Sequence, residues 1–181
     1  MKLATYRLND RERIAIVHQD DASLFDLTGA SARAGENDPA FNSMLALIDG
    51  GDAALDRARS LFARYGSDQN LSVPVNGTEI LAPVPEPRQM RDGMSFPLHI
   101  RQSPRGQLKL KARTEGNAAE LARLEAEPLP ELPEIYRKQP IYYITNRFSV
   151  RGTNTTVKWP RYSEVMDYEC EYGVIRSEEH T

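Results

Sequence analysis

Residues 2–28 have the pattern of short β-strands separated by polar turns, and a helical spacing of apolar residues follows. Residues 2–8 and 14–17 alternate on either side of a polar turn, which predicts a β-hairpin, and a third short strand is expected at 23–27. Residues 38–50 and 52–62 carry apolar side chains at helical intervals, each beginning with an aspartate that can cap a helix. The pattern therefore predicts two short helices on a small sheet.

A second hairpin and a linker are predicted next along the chain. Apolar residues at 73–75 and 80–81 flank Asn76-Gly77, a dipeptide that favours a tight turn with positive φ. The proline-rich run 83–87 predicts an extended linker, because each proline fixes φ and removes a backbone donor. We therefore expect the first domain to end with this linker, at residue 88.

Beyond the linker the chain alternates between helical and strand character. Residues 105–127 are polar and helix-prone, and we expect them to run over the surface. Aromatic and β-branched residues return from residue 140 and predict strands near 141–145, 155–159 and 166–175. The expected class is therefore α+β, and rich in β structure.

The composition narrows the class of protein without identifying a function. Among 181 residues, 40% are hydrophobic and 27% are charged, and 23 Lys and Arg against 26 Asp and Glu give a net charge of −3. This balance has no electrostatic footprint for nucleic acid, and no apolar run approaches the roughly 18 residues of a membrane span. The single Cys170 excludes a disulfide framework and a cysteine-based zinc site. We expect a cytoplasmic protein without nucleic-acid or membrane partners.

Three carboxylates recur at every second position late in the sequence. If 166–175 is a strand, Asp167, Glu169 and Glu171 share one face, and Cys170 lies on the other as a small buried residue. Neighbouring carboxylates repel, so such a face usually has Arg or Lys partners or a bound cation. Carboxylate oxygens suit Mg²⁺, Mn²⁺ or Ca²⁺ rather than zinc. A solvent-facing acidic strand edge is the alternative, and the pattern alone leaves both open.

Two further segments give these carboxylates a context. Residues 91–99 read Arg-Asp-Gly-Met-Ser-Phe-Pro-Leu-His, and residues 140–152 contain a Pro-x-x-Tyr stretch and a Ser-Val-x-Gly turn. In this order, and followed by Asp-Tyr-Glu-x-Glu, the segments resemble the fumarylacetoacetate hydrolase family. Residues 1–17 and 80–87 also look like that family, so the resemblance extends from residue 1 to about residue 175.

The resemblance implies a set of site residues and a reaction. Glu169 and Glu171 would ligate a divalent cation, Mg²⁺ or else Mn²⁺ or Ca²⁺, and Asp92 matches the position of another carboxylate ligand. His99 would be the general base that activates water, and Tyr143 would contact the substrate. A cation bound to both oxygens of a dioxo acid polarises the carbonyls and stabilises the departing enolate. The implied reaction is hydrolysis of a carbon–carbon bond in a fumarylacetoacetate- or acylpyruvate-type 2,4-dioxo acid.

Each of these assignments has an alternative. Pro97 interrupts the stretch that would place Asp92 and His99 on one face of a helix, so His99 can also be an ordinary surface or core histidine. Tyr143 is also a residue type that packs well in sheets. The same scaffold is compatible with isomerisation or decarboxylation of 2-oxo-heptenedioate compounds and with dehydration of 2-keto-3-deoxy sugar acids. A non-catalytic binding protein on the same fold is a further possibility.

The resemblance also implies an organisation for the chain. Residues 1–88 would be a small N-terminal α/β domain, and 89–175 the beginning of a mixed β-roll type catalytic domain of a protein that is a homodimer at full length. Family members continue with a further ligating Asp and a substrate-binding Lys, and neither motif occurs here. Residues 176–181, Arg-Ser-Glu-Glu-His-Thr, read like a translated sequencing-library adapter, so we expect a non-native tail. We expect the chain as given to bind Mg²⁺ weakly and to have no turnover.

Overall fold

The structure is a computed structural model that describes residues 1–175, so the predicted tail at 176–181 lies outside the described residues. The described residues divide into two compact units: the first holds Met1–Pro87 and residues 148–175, and the second is Arg88–Arg147. Helices and antiparallel strands occur together in the chain. The expected α+β class is therefore confirmed, whereas the finer domain assignment stays a prediction.

A four-stranded antiparallel sheet forms the centre of the first unit. Its strands lie in the order β1 (Lys2–Leu8), β2 (Arg11–Val17), β3 (Ser23–Asp26) and β4 (Ser72–Pro74). The predicted first hairpin is confirmed, with a two-residue turn in which Asn9 has φ 50° and Asp10 has φ 60°. Positive φ at both positions matches the right-handed twist of the strands on either side, and the short polar side chains of Asn and Asp tolerate it.

The predicted hairpin around Asn76-Gly77 is wrong in its pairing. The turn itself forms, and Gly77 has φ 83°, but β4 pairs with β3 whereas Ile80 forms an isolated bridge with Tyr6 of β1. The backbone N–H of Leu81 donates to the Thr5 carbonyl at 2.9 Å. The turn therefore carries the chain from one edge of the sheet to the other, so that the sheet curls towards closure.

Three helices follow the first hairpin and β3: α1 (Leu27–Arg33), α2 (Met44–Asp49) and α3 (Gly51–Tyr65). Short 3₁₀ turns at Pro39–Phe41 and Gln69–Leu71 precede α2 and follow α3. Helical structure within 38–62 is confirmed, and α1 is a helix that the pattern did not predict. The predicted caps of both helices are wrong. Asp38 caps only the 3₁₀ turn, and Ser43 is the N-cap of α2. Gly50 is the N-cap of α3, and Asp52 lies within the first turn, where its charge favours the helix dipole.

Alternate residues of the strands serve two separate cores. On one face, Ile14, Ile16 and Phe25 are buried against the three helices, in a cluster that includes Leu47 and Leu61. On the other face, a smaller cluster lies inside the curled sheet and consists of Tyr6, Ala15 and Leu24, with Val17, Val73, Val75 and Ile80 packed against it. The period of two along each strand produces this division.

The second unit combines a small sheet with helices. Strands β5 (Arg91–Gly93) and β6 (Tyr142–Ile144) pair in antiparallel register. Between them lie α4 (Pro97–Thr114), α5 (Ala118–Ala126) and α6 (Ile135–Lys138), and a 3₁₀ turn at Arg147–Ser149 follows β6. The helical character predicted for 105–127 is confirmed, since α4 and α5 cover most of it. None of the helices within residues 1–175 combines the length and apolar composition needed to cross a membrane.

Two predicted strands and one predicted burial are wrong. The segments 155–159 and 166–175 form no strand, and Tyr168 and Tyr172 are 87% and 91% exposed. Cys170 is likewise exposed rather than buried. A strand requires a neighbouring backbone that accepts and donates ladder hydrogen bonds, and no strand within residues 1–175 pairs with either segment. Alternation alone therefore does not produce two faces here.

Candidate functional site

The structure brings together two of the predicted site residues, Asp92 and Tyr143. They stand directly opposite each other in the β5–β6 register. Because opposed residues of an antiparallel pair project on the same face, their side chains meet. The Tyr143 hydroxyl donates a hydrogen bond to Asp92 Oδ2 at 2.5 Å. A carboxylate and a phenol 51 positions apart in sequence thus form one polar pair.

Neighbouring contacts hold this hairpin in register. The backbone N–H of Met94 donates to the Ile141 carbonyl at 2.9 Å, just beyond the paired strands. Diagonally across the hairpin, the Arg91 guanidinium lies 4.8 Å from the ring centre of Tyr142. A cation over an aromatic ring is attracted by the ring quadrupole and contributes about 0.5–1 kcal/mol at an exposed site. These contacts therefore help to fix the register of the two strands that carry Asp92 and Tyr143.

His99 lies at the start of α4. Phe96 is the N-cap without a side-chain hydrogen bond, and Pro97 occupies the first helical position, where its missing N–H is not needed. His99 is therefore in the first turn, and it is exposed. Pro97 begins the helix instead of interrupting one, so Asp92 and His99 occupy a strand and a helix in succession. The role of His99 as a base stays a prediction.

Glu169 and Glu171 lie on exposed chain of irregular structure in the first unit. Beside them, the Asp167 carboxylate accepts a hydrogen bond from the backbone N–H of the next residue, Tyr168, at 2.8 Å. Within residues 1–175, no group of three or more His, Cys, Asp or Glu side chains could hold a metal ion. The donor chemistry of the predicted set, all carboxylate oxygens, fits a hard divalent cation, and its assembly stays a prediction.

The glycine of the Ser-Val-x-Gly turn has a packing role. A Cβ on Gly152 would lie 2.8 Å from the carbonyl oxygen of Ile80 and 2.9 Å from the Cα of Leu81. These are backbone atoms beside β1, so they have little freedom to retreat. Gly152 therefore allows the chain after β6 to approach the rim of the curled sheet within the first unit.

A buried ionic cluster in the first unit is the other concentration of polar groups. Asp26 is 5% exposed, its Oδ2 lies 2.5 Å from Arg13 Nη1, and its Oδ1 accepts from the Gly29 N–H at 2.9 Å. The hydroxyl of Tyr6 is buried without a hydrogen-bond partner among the described residues. Burial, and then the Asp26 carboxylate, raise the pKa of the Tyr6 phenol well above its usual range. Arg13 also lines a cavity of about 130 Å³, which is smaller than the roughly 300–1,000 Å³ of typical ligand pockets.

Sequence reasoning missed a pocket in the second unit. It has a volume of about 410 Å³ and is lined by the chain beyond β5, the start of α4 and the stretch from Leu132 to Tyr142. Its one cationic residue without an ion pair in the described structure is Arg137. The sequence signal was the Arg137-Lys138 pair two residues before Pro140, but the pairing of β5 with β6 is needed to bring this segment and Met94 to one pocket.

Comparison with known proteins does not assign a family: no protein-family model matches the chain, and a search of curated proteins found no significant match. The resemblance to the fumarylacetoacetate hydrolase family therefore depends on the motifs and on their order along the sequence. What it implies for activity is developed next as a proposal.

Proposed function

We propose that the chain belongs to a divalent-cation-dependent hydrolase that cleaves a carbon–carbon bond in a fumarylacetoacetate- or acylpyruvate-type 2,4-dioxo acid. The observation that carries the proposal is the Asp92–Tyr143 pair. Two residues that the resemblance names, 51 positions apart in the sequence, are in hydrogen-bond contact. A chance match of either motif would give no reason for the two side chains to meet.

The carboxylates have the first role in this proposal. Asp92, Glu169 and Glu171 would hold Mg²⁺, or Mn²⁺ or Ca²⁺, through oxygen ligands. Such a cation, when bound, supplies charge stabilisation to the two oxygens of a dioxo acid and to the enolate. Tyr143 orients the Asp92 carboxylate by donating to one of its oxygens and leaves the other oxygen available.

His99 would act on water in the same proposal. The imidazole lies exposed in the first turn of α4, a few residues beyond β5 on a rigid element. An imidazole that accepts a proton from water makes the oxygen nucleophilic towards a carbonyl carbon, and the proton is later returned to the leaving carbanion. The fold that would complete this arrangement is the mixed β-roll of the family, in a cytoplasmic homodimer.

The experiment is an assay of acetopyruvate hydrolysis with Mg²⁺ by the protein encoded by the complete gene. We expect turnover that is abolished by chelation and by Glu169→Gln, and that falls about tenfold or more in Tyr143→Phe. The matched control is Tyr162→Phe, at a tyrosine that is 92% exposed, and it should leave turnover unchanged. For residues 1–181 alone we expect weak Mg²⁺ binding and no turnover.

Two outcomes would overturn the proposal. Turnover that persists in Glu169→Gln and in excess chelator would show that the reaction does not depend on a divalent cation. A complete absence of activity on acetopyruvate, with activity on a 2-oxo-heptenedioate compound or on a 2-keto-3-deoxy sugar acid, would replace hydrolysis by isomerisation, decarboxylation or dehydration. Inactivity on all of these substrates would favour a binding protein.

A further inference from the structure

The pocket of the second unit, which we call the hairpin pocket, has the size and the lining of a small-molecule site. Its volume of about 410 Å³ lies within the range of roughly 300–1,000 Å³ that is typical of ligand pockets. Ile100, only 7% exposed, and Leu132 supply apolar surface. Met94 and Tyr136 form another side and are joined by a contact of 3.9 Å from the Tyr136 hydroxyl to the Met94 sulfur.

The charges around the hairpin pocket are positive. Among the described residues, the lining contains Arg137 and Lys138 but no Asp or Glu. Lys138 Nζ lies 2.9 Å from Glu134 Oε1, so its charge is already balanced. Arg91 lies outside the lining, with its guanidinium over the ring of Tyr142. Residues 88–147 contain 11 Lys and Arg against 7 Asp and Glu, so the unit as a whole attracts anions.

Backbone hydrogen bonds hold the walls of the hairpin pocket. Gly93 and Tyr142, which both line it, are paired across β5 and β6, and the Met94 N–H closes the hairpin on the Ile141 carbonyl at 2.9 Å. The backbone at Arg137 is held by its N–H, which donates to the Glu134 carbonyl at 2.9 Å. Walls held in this way reduce the entropic cost of ordering them on binding.

We infer that the hairpin pocket binds a small organic acid. Its carboxylate would lie against the Arg137 guanidinium, whose forked donors match two carboxylate oxygens. Its apolar part would pack on Met94, Ile100 and Tyr136. This site uses none of the carboxylates of the proposed cation site, so it stands independently of the proposed function.

The test measures binding of 4-phenylbutyrate and of its neutral amide, 4-phenylbutyramide, to the full chain in EDTA by titration calorimetry and by backbone amide NMR shifts. We expect saturable binding of the acid, with shifts at Met94, Ile100 and Tyr142, and binding of the amide weaker by about tenfold or more. Arg137→Gln should weaken the binding of 4-phenylbutyrate by a similar factor. Arg113→Gln, at an exposed arginine of the same unit that does not line the pocket, should leave it unchanged.

The inference is overturned if acid and amide bind equally, if the shifts fall outside the hairpin pocket, or if Arg137→Gln binds like the parent chain. Failure of the acid to bind more tightly than about 10 mM overturns it as well. Thermal unfolding midpoints of both variants, compared with that of the parent chain, show whether a loss of binding reflects a loss of folding. Because EDTA is present throughout, these outcomes do not depend on the proposed cation site.

Discussion

The ionic cluster around Asp26 gives the sharpest test of how the first unit is held together. Asp26 ends β3 and caps α1, and its carboxylate pairs with Arg13 of β2 at 2.5 Å. The side chain of Asp26 is 7% exposed and that of Arg13 is 27% exposed. One carboxylate thus satisfies a helix terminus and a partly buried guanidinium at once, so its removal should affect both.

The magnitude follows from these contacts. Asp26→Asn keeps an oxygen for the Gly29 N–H but leaves Arg13 without its counter-charge. Removing one partner of a buried pair costs about 3–5 kcal/mol, and since Arg13 remains a quarter hydrated we expect a loss of about 2–3 kcal/mol. Asp26→Ala also removes the cap, which adds about 1 kcal/mol. The expected order of stability is therefore parent, then Asn, then Ala.

Urea unfolding followed by far-ultraviolet circular dichroism measures these differences. The control is Asp21→Asn, which removes the exposed ion pair with Lys2 and should change the free energy of unfolding by less than about 0.5 kcal/mol. In a double-mutant cycle, Arg13→Met combined with Asp26→Asn should cost less than the sum of the single changes. A loss below about 1 kcal/mol in Asp26→Asn, or additive costs in the cycle, would refute the reasoning.

Two further predictions concern backbone packing and acid stability. Gly152→Ala should lower the free energy of unfolding by about 1–3 kcal/mol in the urea assay, because its Cβ would meet the Ile80 carbonyl at 2.8 Å. Gly173→Ala, where a Cβ meets nothing within 4 Å, is its control, and equal effects of the two would contradict the close approach. A hydrogen bond from Arg57 lowers the pKa of Asp38 below its usual 3.8. The ionised carboxylate therefore stabilises the fold above about pH 4, and this contribution is lost as the pH falls through the lowered folded value. Unfolding midpoints measured between about pH 2 and 6 should vary less steeply in Asp38→Asn, and an unchanged profile would refute the assignment.

Local patterns predicted the elements that depend on neighbours in sequence. The β1–β2 hairpin follows from alternation on either side of Asn9-Asp10, whose positive φ values fit a tight turn. Helix α3 follows from apolar side chains at helical intervals, with Ala54, Ala58 and Leu61 buried. In both cases the pattern that predicts the element is local in sequence, although α3 is also stabilised by packing on distant residues such as Phe25.

Pairing between distant segments was beyond the same reasoning. Gly77 marks its turn correctly, yet Val73 pairs with Leu24 and Ile80 with Tyr6, so the residues that flank the turn join different strands. The acidic segment shows the same limit, because its alternation describes side chains and a strand also needs a partner backbone. Turn chemistry and alternation thus specify local conformation but not the neighbour in the sheet.

The candidate site depends on such a distant pairing, and on its register. Asp92 and Tyr143 meet because they are opposed in β5 and β6, a register set beside them by the bond from Met94 to Ile141. A slip of one residue would turn the Tyr143 phenol to the other face of the hairpin and place Tyr142 opposite Asp92. The motifs name the residues, but the register decides whether the phenol reaches the carboxylate. The same register brings Tyr142 opposite Gly93 at the hairpin pocket. The Asp92–Tyr143 pair and the proposed acid site therefore depend on the same pairing of β5 with β6.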